Sequence, residues 1–223
     1  MYNIHLTKIH KPQGEKYPDL QRRILKLLLA KGLKGLTMDL LASELSMSKR
    51  TLYEIFGSKH HLIEKALDYM HSKMHALFVD IFLTSPDIIT ALSEMFHVQG
   101  EMLSLITIDF FHDMDTLYPE IKQVYEAKRV DHDSHWSQVY NRGVEEGVLR
   151  PDVNYPILLE MMHVQMEALK RMEDHFGGQF TLEEIFNTIN GGFLRSIASE
   201  KGLRIIDNFK PSHRQPLHDL FTD

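Results

Sequence analysis

Between Thr37 and Phe56 the chain reads Thr-Met-Asp-Leu-Leu-Ala-Ser-Glu-Leu-Ser-Met-Ser-Lys-Arg-Thr-Leu-Tyr-Glu-Ile-Phe, a stretch that leaves little choice of local structure. Thr37 is a capping residue, and Met38, Leu41, Ala42 and Leu45 follow at spacings of three and four, one face of a short helix. Ser46-Met47-Ser48 breaks the period, with Met47 placed to plug a turn and Ser48 to cap a second helix. That helix turns Leu52 and Phe56 inward with Tyr53 beside them, and Gly57-Ser58-Lys59 ends it and starts another. It opens on Lys49-Arg50-Thr51, cations that oppose the helix dipole by roughly 0.3 to 1 kcal/mol each. A phosphate backbone across that turn reverses the sign. The arrangement predicts a helix-turn-helix whose second helix enters the DNA major groove by its N-terminal end; a helical hairpin with a solvated charge pair is the plainer alternative.

Charge distribution separates the two readings. The 223 residues carry a net charge of -6, which by itself argues against nucleic acid. Residues 1–60, however, hold eleven Lys or Arg against five acids, a balance of +6, and the remainder holds fourteen against twenty-six, or -12. A basic end on an acidic body fits one DNA-contacting module, because phosphate neutralisation is local. Hydrophobic residues at 43% and charged residues at 25% fit a folded protein. Without cysteine there is no disulfide, thiolate nucleophile or sulfur-ligated zinc. No apolar run approaches the roughly 20 residues of a membrane span, and the start of the chain lacks an apolar signal core, so a cytoplasmic protein is expected.

Periodicity predicts an all-α chain of about nine helices. Residues 1–16, with Pro12 and Gly14, read as an arm. Leu20, Ile24, Leu27 and Leu28 stripe a helix over 19–31 that Gly32 can end. Ser58 caps a long helix running to about Leu83. Pro86 suits the first turn of the next, Gly100 separates it from the apolar segment 102–111, and Pro119 leads into a helix over 120–146 that Gly143 and Gly147 close. Two further apolar helices follow, over 154–175 and from a capping box of Thr181 and Glu184 to about Glu200. Their adjacent faces, Ile157, Leu158, Met161, Gln165, Ile185, Ile189 and Phe193, predict a four-helix contact with a second copy; closure of the chain's own core is the alternative. Residues 204–223 are expected to be a flexible tail.

Gly32, Thr37, Ala42, Ser48, Thr51, Leu52, Tyr53, Phe56, Ser58, Lys59 and Leu62, at these spacings, resemble the signature of the TetR family of bacterial transcriptional regulators. A weaker match is Arg142 to Asp152, similar to the family's junction before its dimerisation helices. The resemblance implies a helix-turn-helix DNA-binding domain over 17–62 and a helical regulatory, ligand-binding and dimerisation domain over 63–203. Three positions depart from the pattern. Ser46 stands where the family usually has Gly and must take positive φ or relax the turn, at a cost on the order of 1 kcal/mol. Arg50 replaces a small residue or Pro, and His61 replaces Glu.

Ser48 and Thr51 can reach phosphate or a base edge, and Lys49 and Arg50 are the candidates for reading sequence. By resemblance, Tyr53 and Lys59 position phosphate, with the amide at the start of the helix capped by Thr37. The resemblance also implies a DNA operator, a homodimer, repression, and release by a small-molecule inducer, which the softness and size of the candidate walls suggest is apolar or amphipathic. Candidate pocket walls are Met102, Ile106, Phe110, Trp136, Tyr140, Met162 and Met166, which can equally be plain core.

His71 and His75, His132 and His135, and Asp109 with His112 and Asp113 have spacings that can hold a metal, so a metal-sensing body is a further alternative, as is one that docks a protein. No cofactor is expected. The chain lacks a glycine-rich phosphate loop and a nucleophile elbow, so a helical enzyme is the remote alternative.

Overall fold

The computed structural model describes residues 16–121, 123 and 133–212. Among them lie ten helices: α1 (Lys16–Gly35), α2 (Met38–Glu44), α3 (Lys49–Phe56), α4 (Lys59–Thr84), α5 (Ile88–Ser104), α6 (Ile108–Leu117), α7 (Asp133–Glu145), α8 (Tyr155–His175), α9 (Leu182–Ile197) and α10 (Glu200–Asn208). The count exceeds the expected nine. The arm over 1–15 and parts of the helix expected over 120–146, including His132, lie outside the described residues.

Local chemistry sets most boundaries. Side chains of Thr37, Ser48, Ser58, Thr181 and Ser199 each accept a hydrogen bond from a backbone N–H in the first turn of the helix they cap. Thr181 and Glu184 complete a capping box, and Glu184 Oε2 accepting from the Thr181 amide and hydroxyl holds its carboxyl below the usual range. At Gly32, φ 70 and ψ 169 kink α1, a conformation essentially restricted to glycine, and helical structure resumes as far as Gly35. Leu25 is fully buried beside the α1 stripe, whereas Ala30 is exposed.

Two expected boundaries are corrected. Asp87, not Pro86, begins α5: its carboxylate accepts from Thr90 N at 2.8 Å. Gly100 does not interrupt α5, which continues to Ser104. Its missing side chain instead admits Asn187 of α9, since a Cβ at Gly100 would overlap that amide. The expected tail is also shorter. Residues 200–208 form α10, tied down by Ser199 Oγ donating to Gly147 O at 2.8 Å and by Lys201 Nζ donating to Glu146 O at 2.9 Å. Beyond it, Ser212 donates from its amide at 3.0 Å and its hydroxyl at 2.5 Å to the carboxylate of Glu94, buried on α5.

Two apolar clusters result. The first joins α1, α2, α3 and the first half of α4 to Ile81, Val98, Met102, Phe110, Met114 and Tyr118. The second gathers α8, α9, the start of α5 and the segment around Val148 and Leu149. Phe78, Phe82 and Phe111 pack at the edge of both. The junction resembling the family's, residues 142–152, is pinned where Leu149 and Ala198 form an isolated antiparallel bridge and Arg150 N donates to Ile197 O at 2.9 Å. Among the described residues, no helix is long and apolar enough to cross a membrane.

Candidate nucleic-acid interface and apolar face

The tip is built by burial on one side and capping on the other. Leu41, Leu45, Leu52 and Phe56 are at most 3% exposed, so α2 and α3 spend their apolar faces on the first cluster. The turn between them closes through Ser46 N donating to Ser43 O at 3.2 Å and Met47 N donating to Ala42 O at 2.9 Å. Ser46 takes φ 53, the left-handed conformation that glycine adopts without strain. What remains outside is polar: Ser48, Lys49, Arg50, Tyr53 and Glu54 are exposed, and Thr51 is half-buried.

The hydroxyls of Ser48 and Thr51 lie 2.8 Å apart, and Ser48 Oγ also accepts from Thr51 N at 3.0 Å. Lys49 Nζ lies 3.0 Å from the Asp39 carboxylate, and Arg50 Nε donates to Glu54 Oε1 at 2.8 Å. These hydrogen bonds raise the pKa of both cations. Tyr53, assigned to phosphate by resemblance, is 44% exposed; the ring stacked on Phe56, at 6.1 Å between centroids, is Tyr17. Lys59, assigned to phosphate by resemblance, donates instead to Leu33 O at 3.1 Å, and burial lowers its pKa while Asp113 opposes that shift. Thr37 accepts from Leu40 N at 3.1 Å at the start of α2.

The tip meets the body through α6. Asp113 Oδ2 accepts from Lys34 N at 3.0 Å at the end of α1, and His60 of α4 packs on Tyr118 at 5.5 Å between ring centroids. The candidate pocket walls do not gather round one space. Met102, Ile106 and Phe110 belong to the first cluster, Trp136, Tyr140, Met162 and Met166 to the second. Tyr140 stacks on Tyr155 at 4.4 Å, leaving no gap between the rings, and donates to Arg150 O at 2.8 Å. Burial pushes the pKa of Tyr155 upward.

A groove of about 600 Å³ lies instead along α8 and α9, closed at one end by Phe176 and Phe180. Leu158, Met161, Gln165, Ile185, Ile189 and Phe193, expected at a contact with a second copy, all line it, and Met162 joins them. Ile157, the seventh of that set, is exposed outside it. Sequence reasoning missed Phe176 and Phe180, which flank Gly177-Gly178 and were masked by the break those glycines signal. Among the described residues, no three His, Asp or Glu side chains meet as a metal-binding group.

Residues 23–66 match the sequence model of the bacterial regulatory proteins of the tetR family, over the segment that builds this tip. This N-terminal segment is of the tetR-family type. It forms the helix-turn-helix end of an all-α chain whose remainder is a helical bundle. A comparison with curated proteins finds no match. Among solved structures, a transcriptional regulator from Saccharomonospora viridis, in complex with choline, is similar in fold with a TM-score of 0.62 at 17% identity, over 84% of this chain and all of its own. A TetR regulator from Haloarcula marismortui gives 0.62 at 15% identity, over 81% and 99% of the two chains. One from Thermus thermophilus gives 0.53 at 22%, over 79% and 97%.

Proposed function

We propose that this chain is a homodimeric TetR-family repressor, released from its operator when each body takes up a small apolar or amphipathic molecule. The single observation that carries this reading is the continuity of the first apolar cluster from α3 through α1 and α4 into α5 and α6, reinforced by Asp113 holding the Lys34 amide. A displacement of α6 is thereby passed to α1 and α4, and with them to α3. Two recognition helices must sit about 34 to 36 Å apart to enter successive major grooves, so a modest tilt of α4 is enough to withdraw one.

In this reading residues 17–62 contact DNA and 63–203 regulate and dimerise. Ser48, Lys49, Arg50, Thr51 and Tyr53 form the contact surface, with Thr37 presenting the start of α2. Lys59 braces α4 against the end of α1, a supporting role in place of a direct phosphate contact. The second copy covers the groove of α8 and α9 with its own, an isologous contact. The ligand enters by parting the two clusters where Phe78, Phe82 and Phe111 meet, so that Met102, Ile106 and Phe110 on one side and Trp136, Tyr140, Met162 and Met166 on the other come to face a space that they do not share in this structure.

The test begins by selecting duplexes from a random pool with the full chain and titrating the enriched sequence by fluorescence anisotropy. Choline, bound by the Saccharomonospora viridis relative, and a series of fatty acids and aromatic amphiphiles are then added. A ligand that weakens operator binding at least about tenfold, a coupling of roughly 1.4 kcal/mol, is the expected result. A pool from which no sequence is enriched overturns the reading.

A further inference from the structure

Each of the two cations that open α3 is held by a carboxylate of its own. Arg50 gives Nε to Glu54, one turn further along the helix, and Lys49 gives Nζ to Asp39 on α2. All four side chains are open to solvent, 88% and 56% for Arg50 and Glu54, 48% and 78% for Lys49 and Asp39. Exposed pairs of this kind contribute little to folding. Their effect on a polyanion is another matter. The four charges sum to zero, so these side chains add no net charge to attract phosphate. A tip that held DNA by phosphate alone would be better without either acid.

The donors left over have a different use. A guanidinium has five N–H groups, and holding it at Nε leaves the Nη1 and Nη2 edge in a fixed plane. That edge matches the O6 and N7 acceptors of guanine in the major groove. Lys49 likewise retains donors beyond the one shared with Asp39.

We propose that Glu54 and Asp39 are positioning residues for sequence reading. They hold Arg50 and Lys49 with their remaining donors turned to guanine, and they cancel the charge that would otherwise bind any sequence. The inference rests on α3 being the helix that enters the major groove.

Wild type, Glu54→Ala, Glu54→Gln and Asp39→Asn are titrated with the duplex that wild type selects from a random pool and with a random duplex of equal length, across a range of salt. Glu54→Ala is expected to bind random DNA about threefold tighter and the selected duplex about tenfold weaker, with guanine preference relaxed at one position on reselection. Glu54→Gln keeps an acceptor for Nε, so it gains the same affinity for random DNA and retains most of the preference. Asp39→Asn removes the charge that offsets Lys49 and steepens the salt dependence by about one unit. Equal changes on both duplexes in every variant overturn the inference and leave the regulator reading intact. Failure of the wild type to enrich any duplex overturns both.

Discussion

The tip at α2 and α3 and the outer face of α8 and α9 are both helical pairs, yet they treat their apolar residues in opposite ways. At the tip Leu41, Leu45, Leu52 and Phe56 turn inward, and the outside is left largely to hydroxyls, paired charges and one tyrosine. On α8, Ile157, Met161 and Val164 are each more than half exposed, at spacings of four and three that place them on one side of the helix. On the function proposed above, the contrast is one of partner. A surface that meets hydrated phosphate must stay polar and lose little on dissociation, whereas one that meets protein is completed only by burial.

The widest separation between the two regions should appear in folding stability. Leu52→Ala removes a fully buried side chain and is expected to cost about 2 to 5 kcal/mol in urea denaturation. Met161→Ala in monomeric protein should cost no more than about 0.5 kcal/mol, the range of surface changes. Similar losses at both sites would break the comparison.

Association gives the next effect. Met161→Glu combined with Val164→Glu is expected to raise the dimer dissociation constant at least about a hundredfold by sedimentation, roughly 2.7 kcal/mol, through charges buried without partners. A double variant that remains dimeric assigns the contact elsewhere. At the tip, Lys49→Ala and Arg50→Ala should each cost about 1 to 3 kcal/mol on the selected duplex while leaving Tm unchanged. The smallest effect is expected at the turn: Ser46→Gly relieves positive φ and should stabilise the chain by up to about 1 kcal/mol in the same denaturation assay. A loss there would mean that the freedom glycine adds to the unfolded chain outweighs the strain it removes.

What could be read from residues alone was whatever depends on near neighbours in the chain. Thr37, Ser48, Ser58 and Thr181 announce helix starts because a capping side chain bonds an amide two or three positions on. Ser46 stood out because positive φ is a property of a single residue. Gly100 misled for the opposite reason. It is small to admit Asn187 from α9, a demand made 87 positions away, and local reading takes any glycine for a break. The candidate pocket walls failed to gather for a related reason: an apolar stripe identifies a buried face but not the helix that covers it. Lys59 was assigned to phosphate by resemblance, and only the fold reveals that the Leu33 carbonyl also lies within its reach.

The contact between Ser212 and Glu94 also orders events in time. Ribosomes deliver Glu94 118 positions before the residue that satisfies its carboxylate, whereas Thr37 and Leu40, or Ser48 and Thr51, emerge almost together. The caps of the tip can therefore form while the body is still being synthesised, whereas the Glu94 contact must wait for the segment after α10 to emerge.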